Sequence, residues 1–413
     1  MDLNASWQTG SRLGQVERVL RSVWGYAALR QPQRRAVLAT LSGRDALVVL
    51  PTGGGKSLCY QVPALVLPGL TLVVSPLISL MQDQVTALRQ RGVAAAYLSS
   101  SQRATLQDAV RDAVRVGRIR MLYVAPERLA QVPALLHERP LSLLAVDEAH
   151  CISEWGHDFR PHYRRIGRWR AALGRPPTIA LTATATPATR RDILRVLGLS
   201  HPVLVTASFD RPNLFLAARR LDGERERFAA LEANLAAVTG SVIVYVPTRN
   251  RADGAARVLR WRGVAAAPYH AGLPPAARRA LLRRFLDGDI RVIVATTAFG
   301  MGIDKPDVRL VAHLGVPTRP EAYYQEAGRA GRDGRPARCE LLWCDHDLKR
   351  AGHRGPSGPR AGHGGASADG ADAARRGLET MRRYVTTTRC RRRVLLEYLG
   401  ETPGRCSGCD RCE

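Results

Sequence analysis

Short apolar runs alternate with longer helix-like stretches through the first half of the chain. The strand candidates are Ala46–Leu50, Thr71–Ser75, Met121–Ala125, Leu143–Asp147 and Thr178–Thr182. Polar residues, Gly or Pro follow each run, which is typical of strands that end in loops. Near-continuous apolar strands separated by helices indicate a parallel sheet that is covered on both faces. The pattern therefore predicts an α/β lobe over residues 1–207.

The same alternation recurs in the second half and predicts another α/β lobe over residues 208–348. Its strand candidates are Val242–Val246, Ala265–Tyr269, Arg291–Thr296, Leu310–Leu314 and Glu340–Trp343. Residues 349–374 are rich in Gly, Ala, Ser, Pro, Arg and His without periodicity, which predicts a flexible insert. Apolar periodicity returns in Leu378–Val385 and Val394–Leu399, so residues 375–413 are predicted to form a small helical subdomain.

Length and charge narrow the range of functions. A chain of 413 residues exceeds one ordinary core and suits two domains with an appendage. The chain carries 62 basic and 36 acidic residues, a net charge of +26. A protein this basic usually binds a polyanion such as nucleic acid. A general preference for arginine is the alternative explanation, because only Lys56, Lys305 and Lys349 are lysines.

The chain shows no signal for a membrane or for export. It has no apolar run of eighteen residues, and its first residues lack the basic and apolar regions of a signal peptide. We therefore expect a cytoplasmic protein without a membrane partner, associated with the nucleoid if the source is bacterial.

A glycine-rich loop follows the first apolar run and precedes a helical stretch. It reads Thr52-Gly53-Gly54-Gly55-Lys56-Ser57. Consecutive glycines let backbone N–H groups face phosphate oxygens, and the following helix offers its positive end. Lys56 is predicted to bind the β- and γ-phosphates of a nucleoside triphosphate, and Ser57 to ligate Mg²⁺. The general pattern has Gly where Leu50 stands, so its first position is not matched.

Two adjacent acids end another apolar run, some ninety residues beyond this loop. Asp147 and Glu148 follow Leu143–Val146 and begin the sequence Asp-Glu-Ala-His. Asp147 is predicted to hold Mg²⁺, and Glu148 to orient and deprotonate the attacking water.

The second lobe carries two arginines at a spacing of three, Arg329 and Arg332, between glycines and after Gln325. This spacing predicts one face at the start of a helix. If the lobes close on ATP, both side chains could neutralise the transition state, as arginine fingers do. In a chain this rich in arginine, a solvated basic helix is the alternative.

Four of the eight cysteines crowd the last 24 residues of the chain. They are Cys390, Cys406, Cys409 and Cys412. Four thiolates at these spacings can close a tetrahedral zinc site, and an iron–sulfur cluster is the chemical alternative.

Taken in order, these motifs resemble those of superfamily 2 helicases and, more narrowly, of RecQ-type DNA helicases. The resemblance runs from about residue 23 to residue 412. It implies two RecA-like lobes followed by a zinc-binding subdomain, and a motor that uses ATP to move 3′ to 5′ on single-stranded DNA and to unwind duplex, in repair and recombination.

Two further segments resemble RecQ motifs that bind adenine and DNA. Tyr26, Arg30 and Gln33 match the adenine-reading motif, in which an aromatic ring and an Arg stack on the base and the Gln reads its edge. The segment after the acids resembles an aromatic-rich loop that couples single-strand binding to hydrolysis. The residues to which the resemblance assigns DNA contacts or coupling there are Trp155, His157, Phe159 and Arg160.

The resemblance also assigns roles in the second lobe and in the cysteine-rich segment. Thr296 and Thr297 belong to a motif that binds the DNA backbone. The context of Cys390 is similar to the RecQ zinc module, in which the neighbouring arginines would form a basic surface for DNA, with a solvated basic helix as the alternative. Those arginines are Arg389, Arg391, Arg392 and Arg393.

We therefore predict an ATP-dependent DNA helicase that uses ATP, Mg²⁺ and Zn²⁺ and acts on single-stranded and partly duplex DNA. One alternative is a translocase that hydrolyses ATP on DNA without separating strands, and another is an RNA helicase. A zinc-anchored nucleic-acid binder without enzymatic activity is a more distant alternative. Many RecQ relatives continue beyond the zinc module into domains that grip duplex DNA.

Overall fold

The chain divides into two compact units, Met1–Ser208 and Phe209–Glu413, one residue beyond the predicted boundary. The computed structural model describes residues 12–100, 102–136, 141–154, 158–300, 303, 305–353 and 368–413.

The first unit is built on a seven-stranded parallel sheet, as the apolar runs predict. Its strands are β1 (Ala46–Val49), β2 (Leu70–Val74), β3 (Ala95–Leu98), β4 (Met121–Val124), β5 (Leu141–Val146), β6 (Thr178–Thr182) and β7 (Val203–Thr206). They lie in the order β3-β4-β2-β5-β6-β1-β7. The helices include α1 (Gln31–Leu41), α2 (Leu58–Val66), α3 (Ile78–Gln90), α4 (Ala104–Arg115), α5 (Val132–Leu135), α6 (Ile166–Ala172) and α7 (Pro187–Leu197).

The second unit repeats this architecture with a six-stranded parallel sheet. Its strands are β8 (Leu214–Arg220), β9 (Ser241–Tyr245), β10 (Ala266–Tyr269), β11 (Val292–Ala295), β12 (Val308–Leu314) and β13 (Ala337–Trp343), in the order β10-β11-β9-β12-β13-β8. The helices include α8 (Glu224–Ala237), α9 (Arg249–Trp261), α10 (Pro275–Asp287), α11 (Pro320–Ala327), α12 (Asp345–His353), α13 (Ala368–Thr386) and α14 (Arg391–Tyr398).

Three strands are absent from the sequence prediction. Strands β3 and β7 have four residues each, and alanine fills half of β3, so neither stands out from the neighbouring helical pattern. Strand β8 follows the unit boundary directly and ends in two exposed arginines. Tertiary pairing rather than local sequence therefore determines these strands.

The C-terminal segment, which was predicted to form a small helical subdomain, packs against the second sheet. Helices α13 and α14 share one hydrophobic cluster with the second sheet, to which they contribute Met381, Tyr384, Val385, Val394 and Leu395. Residues 349–353 and 368–374, which were predicted to belong to a flexible insert, are helical. Alanine, which favours helix, is the commonest residue of 368–374. The rest of the predicted insert lies outside the described residues.

Both sheets bring their loops together at the carboxyl ends of parallel strands, where such folds bind ligands. The P-loop (residues 52–57) follows β1, and the two acids follow β5. Within the described residues, we find no helix with the length and apolarity needed to cross a membrane.

Candidate nucleotide site and nucleic-acid interface

The conformation of the P-loop depends on its three glycines. Gly53 and Gly55 have φ angles of 81° and 69°, a region that residues with a side chain rarely adopt. A Cβ on Gly54 would lie 2.8 Å from the carbonyl oxygen of Pro51. Lys56 Nζ donates to the carbonyl of Leu50 at 3.4 Å, so the ammonium lies over the loop that it is predicted to serve.

Gln33 braces the P-loop through both ends of its amide. Its Oε1 accepts from the backbone N–H of Arg30 at 2.9 Å, and its Nε2 donates to the carbonyls of Gly54 and Gly55 at 3.1 and 3.2 Å. The side chain is 4% exposed. In this conformation the amide that was predicted to read adenine is therefore bonded to the loop.

The two predicted stacking groups, Tyr26 and Arg30, precede the P-loop in the sequence, as Gln33 does. Arg30 Nη1 donates to the carbonyl of Gly53 at 3.4 Å, and Tyr26 is 54% exposed. A guanidinium beside a phosphate loop and an exposed aromatic ring are groups that can stack on a planar base.

The acids after β5 occupy a strained and buried segment. Glu148 has φ 47° and ψ 47°, a left-handed conformation that is costly outside glycine and clusters at functional sites. Its N–H donates to Asp147 Oδ1 at 2.9 Å. Burial, together with the neighbouring Glu148 carboxyl, raises the pKa of Asp147 from its ordinary 3.8 to about 7, although Lys56 opposes the shift. A bound cation would favour the ionised carboxylate, as the predicted Mg²⁺ role requires.

A buried polar chain joins these acids to the end of β6. Glu148 Oε2 lies 3.3 Å from His150 Nδ1, which lies 3.0 Å from Thr182 Oγ1. Thr182 then donates to the carbonyl of Thr184 at 3.0 Å. Burial opposes the charged imidazole, but Cys151 and the Glu148 carboxylate raise the pKa of His150 above its ordinary value.

The aromatic-rich segment is described only in part. Trp155 and His157 lie outside the described residues, and Phe159 is exposed. Arg160 Nη1 donates to the carbonyl of Pro76 at 2.5 Å, and its Nη2 donates to Asp158 at 3.1 Å. The predicted phosphate contact of Arg160 is thus replaced, in this conformation, by bonds that tie the segment to the loop after β2.

Tyr163 is a contact of this region that sequence reasoning missed. Its buried hydroxyl donates to the carbonyl of Asp147 at 3.1 Å. The Pro-His-Tyr sequence after Arg160 could have identified this residue, since an aromatic residue so close to the aromatic loop is well placed to pack beneath it.

In the second unit, Arg329 and Arg332 do not begin a helix. Helix α11 ends at Ala327, and both arginines lie in the following turn, residues 328–332, here called the arginine turn. The φ angle of Gly331 is 56°, which ends any continuation of the helix. Arg329 is buried, and Arg332 Nη1 donates to the carbonyl of Ile303 at 2.6 Å. Gln325 lies on α11 and is half-buried.

Two residues that the sequence analysis did not select hold the arginine turn. Arg211 Nη2 donates to the carbonyls of Ala330 and Gly331 at 3.1 and 2.8 Å. Asn213 Nδ2 donates to the carbonyl of Gly331 at 2.8 Å. The sequence around Arg211 and Asn213 is a short polar segment at the unit boundary. Such a segment resembles an ordinary linker, so it gave little reason to select these two residues.

The two threonines predicted to bind the DNA backbone follow β11 at the carboxyl edge of the second sheet. Thr296 accepts from the N–H of Ala298 at 3.4 Å through its hydroxyl, and Thr297 is exposed. Hydroxyls at this edge suit contacts to phosphate that do not depend on base sequence.

The four C-terminal cysteines converge as their spacing predicts. The sulfur atoms of Cys390, Cys406, Cys409 and Cys412 all lie within 4.8 Å of one another. Sulfurs around a tetrahedral Zn²⁺ lie about 3.8 Å apart, so this set fits a zinc ion after small rotamer adjustments. Cys390 caps α14 by accepting from the N–H of Arg393 at 3.4 Å.

The arginines beside Cys390 do not form one basic surface. Arg391 and Arg392 are 0% and 4% exposed and donate to carboxylates and carbonyls inside the unit. The expected contact with DNA is therefore wrong for these two. Arg389 and Arg393 are exposed.

Three family profiles match consecutive parts of the chain. They are the DEAD/DEAH box helicase profile at residues 30–193, the helicase conserved C-terminal domain at residues 226–334, and the RecQ zinc-binding profile at residues 360–413. The last match supports zinc over an iron–sulfur cluster at the four cysteines.

Curated relatives match nearly the whole chain. Proteins named ATP-dependent DNA helicase RecQ from Pasteurella multocida and Haemophilus influenzae are both 43% identical over 95% of the chain, which spans 61% and 63% of their lengths. The probable ATP-dependent DNA helicase RecS of Bacillus subtilis is 42% identical over 81% of the chain and 68% of its own length. The chain thus spans about three fifths of the first two relatives.

Solved structures support the same fold. The helicase MrfA bound to DNA aligns with a TM-score of 0.65 and 22% identity, over 82% of this chain and 50% of that one. The Mycobacterium smegmatis helicase Lhr bound to single-stranded DNA and AMP-PNP aligns with a TM-score of 0.63 and 21% identity, over 90% and 58%.

Proposed function

Because the chain belongs to the RecQ family of superfamily 2 helicases, we propose that it is an ATP-dependent DNA helicase that moves 3′ to 5′ on single-stranded DNA. The observation that carries the proposal is the combination of a braced P-loop with the strained Asp147–Glu148 pair at one edge of the first sheet. A buried carboxyl with a pKa near 7 suits a site that a divalent cation completes.

In the first unit, different residues bind the phosphates of ATP, hold the metal ion and activate the attacking water. The P-loop N–H groups and Lys56 bind the phosphates, while Ser57 and Asp147 would hold Mg²⁺, which would draw charge from the γ-phosphate. Glu148 orients the attacking water and accepts its proton. Its strained backbone and its contact with His150 fix the carboxylate for this role.

The base of ATP would be recognised beside the same loop. Tyr26 and Arg30 would stack on adenine, and Gln33 would read its edge. Since Gln33 already donates to Gly54 and Gly55, base recognition would loosen or replace bonds that shape the P-loop. Adenine binding and P-loop conformation are thereby linked through one amide.

In the second unit, Gln325, Arg329 and Arg332 would act on the γ-phosphate as it leaves. Arg329 and Arg332 would supply positive charge in the transition state. Thr296, Thr297 and the exposed Phe159 would contact single-stranded DNA, together with Trp155 and His157. Partly duplex DNA with a single-stranded tail is the proposed substrate, in repair and recombination.

Strand release from tailed duplexes tests the proposal directly. The purified chain with ATP and Mg²⁺ should separate a duplex with a 3′ single-stranded tail faster than the same duplex with a 5′ tail. Lys56→Ala should abolish turnover and leave binding to single-stranded DNA, because its loss removes only a phosphate contact.

Three outcomes would contradict parts of this proposal. DNA-stimulated ATP turnover without release of either strand would replace the helicase with a translocase. Equal stimulation by RNA and DNA would contradict DNA specificity. Unchanged turnover in Lys56→Ala would contradict the assignment of the nucleotide site.

A further inference from the structure

Arg391 connects the cysteine cluster to the interior of the second unit. Its Nε donates to Asp410 Oδ1 at 2.5 Å and its Nη2 to Asp410 Oδ2 at 3.0 Å, and Asp410 lies between Cys409 and Cys412. Nη2 also donates to the carbonyl of Ala218 at 3.0 Å, and Nη1 donates to the carbonyl of Tyr384. The guanidinium is therefore saturated by groups from three segments.

From Tyr384 the contacts continue to helix α11, which precedes the arginine turn. The hydroxyls of Tyr384 and Tyr323 lie 2.9 Å apart, and both rings are fully buried. At the start of the same helix, Tyr398 of α14 donates to Glu321 at 2.7 Å. Helix α11 is thus bonded to both C-terminal helices.

Arg392 begins a second path, from the loop of residues 406–412 (here the zinc loop) to the arginine turn itself. It donates to the carbonyls of Gly408 at 3.2 Å and of Arg211 at 3.0 Å, and to Asp210 at 2.5 Å. Arg211 in turn donates to the carbonyls of Ala330 and Gly331. Two arginines adjacent in sequence therefore link the zinc loop to α11 and to the arginine turn.

We infer that the zinc loop and its two buried arginines form a brace that sets the position of the arginine turn, with Arg391, Arg392 and Tyr384 as positioning residues for Arg329 and Arg332. This inference rests on the proposed function of those arginines. Charge-assisted bonds in a buried, multiply anchored network hold geometry better than single surface contacts. A displacement of about 1 Å at a catalytic group can lower a rate by about 10²-fold, so such a brace would matter for turnover.

The competing explanation is that these residues only stabilise the unit. Arg170 in the first unit allows the two explanations to be separated, because it is buried in the same manner. It donates to Asp45 at 2.8 and 2.9 Å and to the carbonyl of Gly198 at 2.8 Å, but it touches neither predicted site. Arg170→Lys is thus the matched control for Arg392→Lys.

The kinetic test measures ATP turnover at saturating single-stranded DNA, well below each variant's unfolding temperature. Arg392→Lys should lower kcat by about 10- to 100-fold with the KM for ATP nearly unchanged, because the ATP-binding residues lie in the other unit. Arg170→Lys should lose comparable thermal stability and keep its kcat. Equal kcat in both variants would overturn the inference.

A second set of variants leaves both arginines in place. Tyr323→Phe and Tyr384→Phe each remove one hydroxyl from the buried pair, and the double variant removes both. If the pair positions α11, each single variant lowers kcat, the double variant lowers it little further, and the zinc content is unchanged in all three. Full kcat in both single variants would contradict the path through Tyr384.

A measurement that does not depend on activity separates this inference from the proposed function. Hydrogen exchange is followed for peptides covering residues 320–335 in the zinc-loaded chain and after chelation of zinc. Chelation and Arg392→Lys should both reduce protection there, whereas Arg170→Lys should not. Unchanged protection would refute the brace, while absence of turnover in the unsubstituted chain would refute the proposed function alone.

Discussion

The two units share a parallel α/β design but build their functional segments differently. In the first unit, the phosphate loop and the acids lie directly after β1 and β5, and their shape depends on glycine conformations and on strain at Glu148. In the second unit, side chains from the unit boundary hold the arginine turn, and Arg392 of α14 links them to the zinc loop. Helix α11, which precedes the turn, is bonded to α13. The first arrangement is local in sequence and the second is assembled from distant segments.

This difference teaches where each unit is vulnerable. The first unit's site fails through changes in its own residues and in the side chains that contact them directly, such as Gln33 and Tyr163. An assembled site also fails when a distant support is removed, even though that support never touches the ligand. Buried arginines illustrate the contrast, since Arg170 lies away from the first unit's site whereas Arg211 and Arg392 support the arginine turn.

The largest expected effect comes from the arginine turn. Arg332→Ala should lower kcat on the order of 10³-fold, because a charge is removed from the transition state, while ATP still binds. Single-turnover hydrolysis and binding of a nonhydrolysable ATP analogue measure the two quantities. Arg335→Ala is the matched control, since this neighbouring side chain is exposed. Similar losses in both variants would mean that the turn, rather than Arg332, is responsible.

The second-largest effect is expected from loss of the metal, which should lower the stability of the second unit and leave that of the first unit unchanged. Cys409→Ser removes a buried thiolate of the predicted zinc site, and we expect the second unit to lose at least several degrees of thermal stability. Hydrogen exchange resolved by unit should show the first unit unaffected. Cys344→Ser, outside the cluster, should retain zinc and stability. Destabilisation of both units by Cys409→Ser would contradict the picture of independently built sites.

A smaller effect is expected from the brace of the P-loop. Gln33→Glu keeps an acceptor for the N–H of Arg30 but loses the donor to Gly54 and Gly55, so a carboxylate would face two carbonyls. An unmade bond of this kind costs about 1–3 kcal/mol, and the KM for ATP should rise by about tenfold or more. Gln61→Glu, which alters a buried amide elsewhere in the unit, serves as the comparison. An unchanged KM would show that the glycines alone shape the loop.

The features that sequence could predict are those encoded over a few residues. Each five-residue apolar run of the first sheet became a strand, and the glycine loop, the adjacent acids and the cysteine spacing all fell where expected. These signals need no knowledge of distant segments. The same locality explains why these segments lie where the sequence predicted them, whereas Arg329 and Arg332 do not begin a helix.

What sequence could not predict depends on contacts across the chain. Arg391 and Arg392 resemble a basic surface segment, but their acceptors Ala218 and Leu214 lie 173 and 178 residues away. Arg329 and Arg332 fit a helix by spacing, yet Gly331 adopts positive φ and α11 stops at Ala327. In each case a tertiary bond outweighed the local pattern.

The smallest expected effect is a change in the unfolding temperature when Asp147 is replaced. Its folded carboxyl has a pKa of about 7 against an ordinary 3.8, so between these pH values the folded chain holds a proton that the unfolded chain has lost. The contribution of this group to the free energy of unfolding therefore falls as pH rises from about 4 to 7. Asp147→Asn keeps the acceptor for the N–H of Glu148 and removes the buried charge. It should raise the unfolding temperature by a few degrees at pH 8, with little effect near pH 4, and abolish turnover. A thermal melt without Mg²⁺ at both pH values measures this gain, and equal gains at both would show that burial of this charge does not strain the first unit's site.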